Sequence, residues 1–165
     1  LQGLGQGEQP IISYNYGAKN VGRVKKAFWL LLKVSLSYAV LLWAFIMIFP
    51  QGFAGMFTSD PELLVFTKTA LRIYTACLFL FGIQMACQMT FTSLGKAGSS
   101  IIVAVMRKFI LLIPLIYIMP AILRENKAVA VYMAEPIADF LAVTFTAILF
   151  FFQFRKCLRQ IEGEK

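Results

Sequence analysis

Four long apolar stretches follow a mixed opening segment, and each has the length of a membrane helix. A spanning α-helix needs about 20 mostly apolar residues. The pattern predicts four such helices, over Ala27 to Phe49, Leu63 to Leu94, Ser100 to Leu123 and Ala128 to Phe154. Residues 1–18 are predicted to be the end of a further helix that begins before Leu1, and residues 155–165 to be a polar tail.

Glycines and prolines interrupt this pattern at places that matter for packing. Three glycines alternate in the opening segment: Gly3, Gly5 and Gly7. Because glycine has no side chain, they are expected to let another helix approach closely. Pro114 and Pro120 are expected to kink the third helix, and Pro136 lies in the fourth. Such a kink is either static or a hinge between moving bundles.

The composition agrees with a membrane protein that is all-α and polytopic. Of its 165 residues, 59% are hydrophobic and 15% are charged, and the mean hydropathy is +0.74. Soluble domains have about 45–50% apolar and about 25% charged residues. The net charge of +8 therefore indicates topology and attraction to anionic lipid, not nucleic-acid binding.

The basic residues predict the orientation. They cluster before the first helix (Lys19, Arg23, Lys25, Lys26), between the second and third (Lys96, Arg107, Lys108) and after the fourth (Arg155, Lys156, Arg159). The first connection is acidic instead. The positive-inside rule places the three basic clusters in the cytoplasm, so the C-terminal tail is predicted to be cytoplasmic. The uncharged part of the third helix is short, so Arg107 and Lys108 are expected near or inside the membrane edge.

Polar side chains within the apolar stretches mark interior faces, since they are costly in lipid. Gln84, Gln88 and Thr92 form one stripe on the second helix, and Gln6, Gln9 and Asn15 belong to the opening segment. These six are the candidates for lining a substrate cleft. The alternative is that such side chains only bond one helix to another.

A second polar face lies on the fourth helix, where Glu135, Asp139, Thr146 and Gln153 share one side. Asp139, with Glu135, is the candidate for ion coupling, as a proton-titrating or cation-attracting group. The alternatives are that Asp139 is a buried acid paired with a neighbour such as Arg107, and that Glu135 is solvated near the outer interface.

The residues give no indication of catalysis, metal binding or nucleotide binding. The chain has no His, and its three cysteines (Cys77, Cys87, Cys157) have no metal or redox spacing. GLGQG lacks the strand and the βαβ unit that a nucleotide motif requires. We therefore expect no catalytic residue, no metal site and no cofactor.

Four segments, in order along the chain, carry a resemblance to a known family. They are GLGQGEQPIISYNYGAKNVGRVKKAF; MFTSDPEL followed by ALRIY; TFTSLGKAGSS with Arg107 and the later Ile113-Pro114-Leu115; and AEPIADFLA. In sequence and spacing they resemble the eighth-helix region, the approach to the tenth helix, the turn into the eleventh helix with that helix, and the twelfth helix of the multidrug and toxic compound extrusion (MATE) transporters.

The resemblance implies a twelve-helix protein of two six-helix bundles, with both termini cytoplasmic, in the plasma (bacterial inner) membrane. This chain would be the end of the eighth helix and helices nine to twelve, a fragment whose missing N-terminal bundle is its partner. MATE proteins are antiporters that export drugs and cationic or amphipathic organic compounds in exchange for sodium ions or protons. The implied partners are such organic molecules and membrane lipid, and not nucleic acid.

One feature departs from the family pattern. Members with a cation site in the C-terminal bundle place acids on the seventh and tenth helices, whereas Leu63 to Gly95 contains none and has Gln84 and Gln88 in that region. Coupling is then expected either in the N-terminal bundle or at Asp139, and the choice between sodium and protons stays open.

Three other functions are weighed against this one. A lipid-linked oligosaccharide flippase of the wider superfamily would line its cleft with more positive charge than Arg107 supplies. A membrane-embedded enzyme would need clustered Asp, Lys or His at membrane depth. A non-transport scaffold would not need inward polar stripes on several helices.

Overall fold

The computed structural model describes residues 1–56, 58, 60–123 and 127–163. Every regular element in these ranges is helical, which confirms the all-α prediction. The helices are α1 Gln2–Gly17, α2 Val21–Ile48, α3 Pro50–Gly55, α4 Pro61–Tyr74, α5 Phe81–Ser93, α6 Ala97–Val105, α7 Ile113–Ile122 and α8 Lys127–Gly163. A 3₁₀ turn, Leu78–Leu80, precedes α5, and a π-helical segment, Met106–Leu112, joins α6 to α7.

Three continuous helices are long and apolar enough to cross a membrane: Val21–Ile48, Ala97–Ile122 and Lys127–Gly163. A fourth span results if the pair Pro61–Tyr74 and Leu78–Ser93 is counted as one helix bent by 41°. Counted in this way, the four predicted spans are all present.

The helices extend beyond the apolar stretches at their basic ends. α2 begins at Val21, because the Asn20 side chain caps it by accepting from the backbone N–H of Arg23 at 3.1 Å. α8 continues to Gly163, past the predicted end at Phe154. Hydropathy locates the part of a helix that lies in lipid, and basic residues continue both helices into water.

The predicted helix from Leu63 to Leu94 is broken between Tyr74 and Phe81. The Thr75 hydroxyl donates to the carbonyl of Leu71 at 2.7 Å, a bond that bends helices. Just after the break, Gly82 lies against the backbone of α2, where an added Cβ would be 2.6 Å from the Ser35 carbonyl oxygen. Local bonding at Thr75 and close packing at Gly82 therefore accompany the bend.

The third span is distorted ahead of its first proline. Met106–Leu112 is π-helical, and Pro114 follows in the first turn of α7. Proline lacks an N–H and its ring clashes with the carbonyl four residues earlier, so a wider turn before it relieves both problems. Pro120 lies within the last turns of α7.

The opening helix α1 packs on α2 and α5. Of the three alternating glycines, only Gly5 is in close contact, with the Met89 side chain of α5, while nothing described lies within 4 Å of a Cβ added at Gly3 or Gly7. The Ser13 hydroxyl donates to the carbonyl of Ser93 at 2.8 Å and joins α1 to the end of α5.

One end of the bundle gathers the start of α2, the α5–α6 turn and the last turns of α8, and we call it the basic end. A buried cluster holds these parts together: Ile12, Val21, Val24, Ala27, Leu94, Cys157, Leu158 and Ile161. Lys25 Nζ lies 3.9 Å from Glu162 Oε1 across it. Lys25, Lys96 and Lys156, one from each of the three basic groups predicted to share one membrane side, therefore lie at one end, whereas Arg107 and Lys108 of the second group lie at Glu135 and Asp139.

Two predicted features lie partly outside the described residues. The hydrophilic turn between the third and fourth spans includes residues 124–126, and the polar tail includes residues 164–165.

Candidate functional site

A cluster of four charged side chains joins the third and fourth spans. Arg107 Nε donates to Asp139 Oδ1 at 2.7 Å, and its Nη2 lies 3.5 Å from Glu135 Oε1. Lys108 Nζ lies 3.8 Å from the same Glu135 oxygen. Asp139 is thus the buried acid paired with Arg107 that the sequence offered as one alternative. Two cations and two carboxylates balance in this cluster.

The cluster lies deep in the membrane-spanning part. Arg107 is about 15 Å along the span that begins at Ala97, at roughly 1.5 Å of rise per residue. The sequence placed Arg107 near or inside the membrane edge. The side chains of Arg107, Glu135 and Asp139 are only 17%, 11% and 12% exposed. Charges at this depth are rare unless they are paired or wetted, and they commonly mark a functional site.

Irregular backbone surrounds the cluster on two sides. Arg107 and Lys108 lie on the π-helical segment, a feature often found at functional sites. The break between α4 and α5 lies opposite, and the Arg107 guanidinium is 5.2 Å from the centroid of the Phe81 ring. Pro136 lies beside Glu135 on α8 and removes one helix hydrogen bond there.

A cavity of about 250 Å³ opens at this break. Its lining combines the charged cluster with the end of α4: Tyr74, Thr75, Leu78, Phe81, Arg107, Lys108, Glu135 and Asp139. The C-terminal end of α4 carries the negative end of its helix dipole. A cation that enters the cavity would meet a partly negative helix end and two carboxylates that are paired with Arg107 and Lys108.

A second cavity, of about 260 Å³, adjoins the first through Tyr74. It lies between α4 and α8 and is lined by Phe66, Thr67, Ala70, Leu71, Tyr74 and Tyr132. Phe66 and Tyr132 meet edge to face, with ring centroids 6.1 Å apart. An aromatic cavity thus continues into a charged one.

The other two residues of the polar face on α8 are bonded within the protein, Gln153 to another helix and Thr146 to its own. The Ser99 hydroxyl donates to Gln153 Oε1 at 2.6 Å, between α6 and α8. Thr146 is fully buried and its hydroxyl donates to the carbonyl of Ala142 at 2.7 Å. The two ends of this face reach different cavities, Glu135 and Asp139 the one at the helix break and Gln153 one between α6 and α8.

The α5 stripe runs from a buried to an exposed position. Gln84 is 3% exposed, Gln88 is half-buried and Thr92 is exposed. Gln84 Oε1 is buried and has no hydrogen-bond partner among the described residues. A buried acceptor without a partner is costly, so this oxygen is available to a water molecule or a solute group.

The three cleft candidates in the opening segment differ in exposure. Gln6 is exposed and Gln9 half-buried on α1, whereas Asn15 is buried and donates its amide to the carbonyl of Ile11 at 2.8 Å. The Asn15 side chain is therefore engaged within α1, and only Gln6 and Gln9 present polar groups at the surface.

Several residues of the site were not foreseen. Lys108 was expected near or inside the membrane edge but not beside Glu135, and Phe81, Tyr74 and Thr75 were expected as parts of an unbroken helix. One feature of the sequence did point to Lys108. The uncharged stretch after it is short, which predicts that Arg107 and Lys108 lie near or inside the membrane edge. Nothing in the residues between Tyr74 and Phe81 marks a break, since neither proline nor glycine occurs there.

Comparison with known proteins assigns this architecture. The family model described as MatE matches residues 1–118, well over half of the chain. The chain belongs to the MatE family. The predicted family is confirmed, and MatE membership makes the chain part of a membrane transporter family.

Solved MATE structures agree with the fold of this MatE chain. The MATE multidrug transporter DinF-BH, determined in complex with rhodamine 6G, superposes with a TM-score of 0.83 at 35% identity, over 90% of this chain and 33% of that one. An outward-facing multidrug resistance MATE transporter of the MOP superfamily gives a TM-score of 0.83 at 20% identity, over 93% of this chain and 34% of that one. The second likeness shows the fold alone.

A curated relative is the FAD transporter of Shewanella oneidensis, which is 26% identical over 115 residues, 70% of this chain and 25% of the relative. The MatE chain thus spans between a quarter and about a third of the length of these proteins.

Proposed function

We propose that the protein is a cation-coupled antiporter that exports drugs and cationic or amphipathic organic compounds by alternating access. The observation that carries the proposal is the buried Arg107–Glu135–Asp139 cluster in a cavity at a broken helix. In secondary transporters, substrate and ion sites lie near the bilayer midplane and are formed by discontinuous helices. The coupling ion is sodium or a proton.

The coupling step is an exchange of partners at Asp139. In the described arrangement Arg107 neutralises Asp139 and ties the third span to the fourth. A proton or sodium ion on Asp139 replaces that charge, so Arg107 is released from Asp139 and the link between the two spans at this cluster is reduced to the longer ion pairs with Glu135. Glu135, which lies near both Arg107 and Lys108, keeps the released guanidinium within the cavity.

The two adjoining cavities support an amphipathic organic cation as substrate. Phe66, Tyr74 and Tyr132 provide an aromatic surface for a flat apolar ring, while Glu135 and Asp139 attract a positive group. The structure of DinF-BH was determined with rhodamine 6G, and the relative from Shewanella is named an FAD transporter. Rhodamine 6G and FAD are therefore the two substrates to compare.

A flippase for a lipid-linked oligosaccharide is the weaker alternative, because the two carboxylates offset the charges of Arg107 and Lys108. The basic end supports a cytoplasmic position for that end and the C-terminus, in a plasma membrane.

Efflux from intact cells tests this function. Cells that express the full-length protein are expected to accumulate less rhodamine 6G than matched cells with an empty vector, and to resist a broader panel of cationic drugs. Export of FAD without any change in rhodamine 6G accumulation would replace the proposed substrate class. Unchanged rhodamine 6G accumulation, drug resistance and FAD export would contradict transport of either kind.

Asp139→Asn tests the coupling step. The variant is expected to abolish ion-driven rhodamine 6G export and its dependence on pH or sodium, because asparagine carries no charge that a proton or sodium ion could neutralise in place of Arg107. Asp60→Asn is the matched control, because Asp60 is an exposed cap at the start of α4 and asparagine caps equally well. An Asp139→Asn variant with the wild-type ion dependence would rule out coupling at this residue.

Gln84→Leu tests the cleft face of α5. Gln84 Oε1 has no hydrogen-bond partner among the described residues. The leucine variant is therefore expected to have an unchanged free energy of unfolding, or one that is higher by about 1 kcal/mol. Rhodamine 6G export is expected to fall, since a polar group offered to solute or water is lost. Gln51→Leu, at the exposed surface of α3, serves as control. Full export by a stable Gln84→Leu protein would assign this residue to packing alone.

A further inference from the structure

A cleft at the basic end combines positive charge with neutral hydrogen-bonding groups. It has a volume of about 350 Å³ and lies between the start of α6 and the end of α8. Its lining residues are Lys96, Ser99, Gln153, Lys156, Cys157 and Gln160. Two ammonium groups therefore face a space bordered by a hydroxyl and two carboxamides, and no lining residue is acidic.

The cleft continues onto the outer face of α8. A groove there is lined by Phe152, Arg155, Lys156, Arg159 and Gln160, and it shares Lys156 and Gln160 with the cleft. Four cationic side chains thus follow one another from Lys96 to Arg159. Glu162, in the next turn of α8, lies 3.9 Å from Lys25.

The groove lies where the apolar part of α8 ends. Phe151 and Phe152 are 52% and 67% exposed, and the Arg155 guanidinium is 4.6 Å from the centroid of the Phe151 ring. Exposed apolar rings therefore lie directly beside basic side chains at the place where the apolar part of α8 ends. A molecule bound here would have an anionic head among the cations and an apolar part along the rings.

We propose that this cleft and groove bind the phosphodiester headgroup of an anionic phospholipid. Lys96 and Lys156 contact the phosphate, Gln160 donates to a phosphate oxygen, Ser99 accepts from a headgroup hydroxyl, and the acyl chains lie along Phe151 and Phe152. Basic pockets between membrane helices on the cytoplasmic side are suited to such headgroups. The site is independent of the transported substrate and of the Arg107 cluster.

Binding to the purified full-length protein in detergent tests the site. Phosphatidylglycerol is expected to bind about tenfold more tightly than phosphatidylcholine by native mass spectrometry, and to raise the melting temperature. Lys96→Gln/Lys156→Gln is expected to abolish that preference, because each basic residue near an anionic headgroup contributes to binding. Arg155→Gln/Arg159→Gln provides a second variant with the same expected direction.

Arg23→Gln/Lys26→Gln is the matched control, since it removes two exposed charges from the same end of the bundle. The control is expected to keep the preference for phosphatidylglycerol. An equal loss in the control, or no loss in either cleft variant, would overturn the proposal. Inorganic phosphate that displaces phosphatidylglycerol and stabilises the protein through Lys96 and Lys156 would overturn the lipid assignment in favour of a soluble anion.

Discussion

Arg107→Met is expected to abolish ion-driven rhodamine 6G export and to destabilise the protein. Arg107 is the one described side chain that contacts both Asp139 and Glu135, and all three are largely buried. Removing it leaves Asp139 without its cation and Glu135 with only the more distant Lys108. Breaking a buried ion pair from one side costs about 3–5 kcal/mol. The measurements are the melting temperature in detergent and rhodamine 6G export from proteoliposomes.

The double variant Arg107→Met/Asp139→Leu separates stability from function. Replacing both members of a buried pair by apolar side chains is often neutral or stabilising, so the melting temperature is expected to recover most of its loss. Ion-driven export is expected to stay absent, because the exchangeable carboxylate is gone. If export returned together with stability, the ion pair would be a structural tie between the third and fourth spans and no more.

Gly82→Ala is expected to have the second-largest effect, on folding. The added Cβ would lie 2.6 Å from the Ser35 carbonyl oxygen and 2.8 Å from Leu36 Cα, both of them backbone atoms of α2. Neither atom moves without separating α2 from α5. Overpacking of this kind costs about 1–3 kcal/mol, and Gly82→Val is expected to prevent recovery of monodisperse protein.

Gly98→Ala is the control for that experiment. Gly98 lies in the first turn of α6 with no described atom within 4 Å of its added Cβ, so alanine is expected to keep or slightly raise the melting temperature. Size-exclusion profiles and melting temperatures of the two alanine variants give the comparison. Equal behaviour of both would mean that α2 and α5 are not in tight contact at Gly82.

Much of the fold could be predicted from hydropathy. A helix that crosses lipid must be long and apolar, and long apolar stretches can be found in the sequence. The ends of α2 and α8 do not follow from it, since basic turns such as Arg155 to Arg159 are helical without being apolar. The break between α4 and α5 also escapes sequence reasoning. The break coincides with the hydrogen bond from the Thr75 hydroxyl to the carbonyl of Leu71 and with the close contact between Gly82 and α2. A contact between segments that are far apart in the chain leaves no signal in the local sequence.

The site could be predicted in part. The pairing of Asp139 with Arg107 was one of two alternatives, because helical spacing put the acid on an interior face and the short third span put the cation inside the membrane. The same reasoning could not predict that Lys108 lies beside Glu135 or that the Phe81 ring lies against the Arg107 guanidinium. Both contacts depend on the π-helical segment and on the bend between α4 and α5. Asn15 was predicted to line the cleft, but its side chain is hydrogen-bonded to the carbonyl of Ile11 in its own helix.

Ion flux driven by rhodamine 6G is the most direct test of coupling at the Arg107–Asp139 pair. Full-length protein is reconstituted into proteoliposomes that contain a fluorescent reporter for protons or for sodium, and rhodamine 6G is placed on one side. Wild-type protein is predicted to move one of the two ions against the flow of the dye, and Arg107→Met/Asp139→Leu to move the dye with no ion flux. Dye-driven ion flux of wild-type size in the double variant would contradict the account.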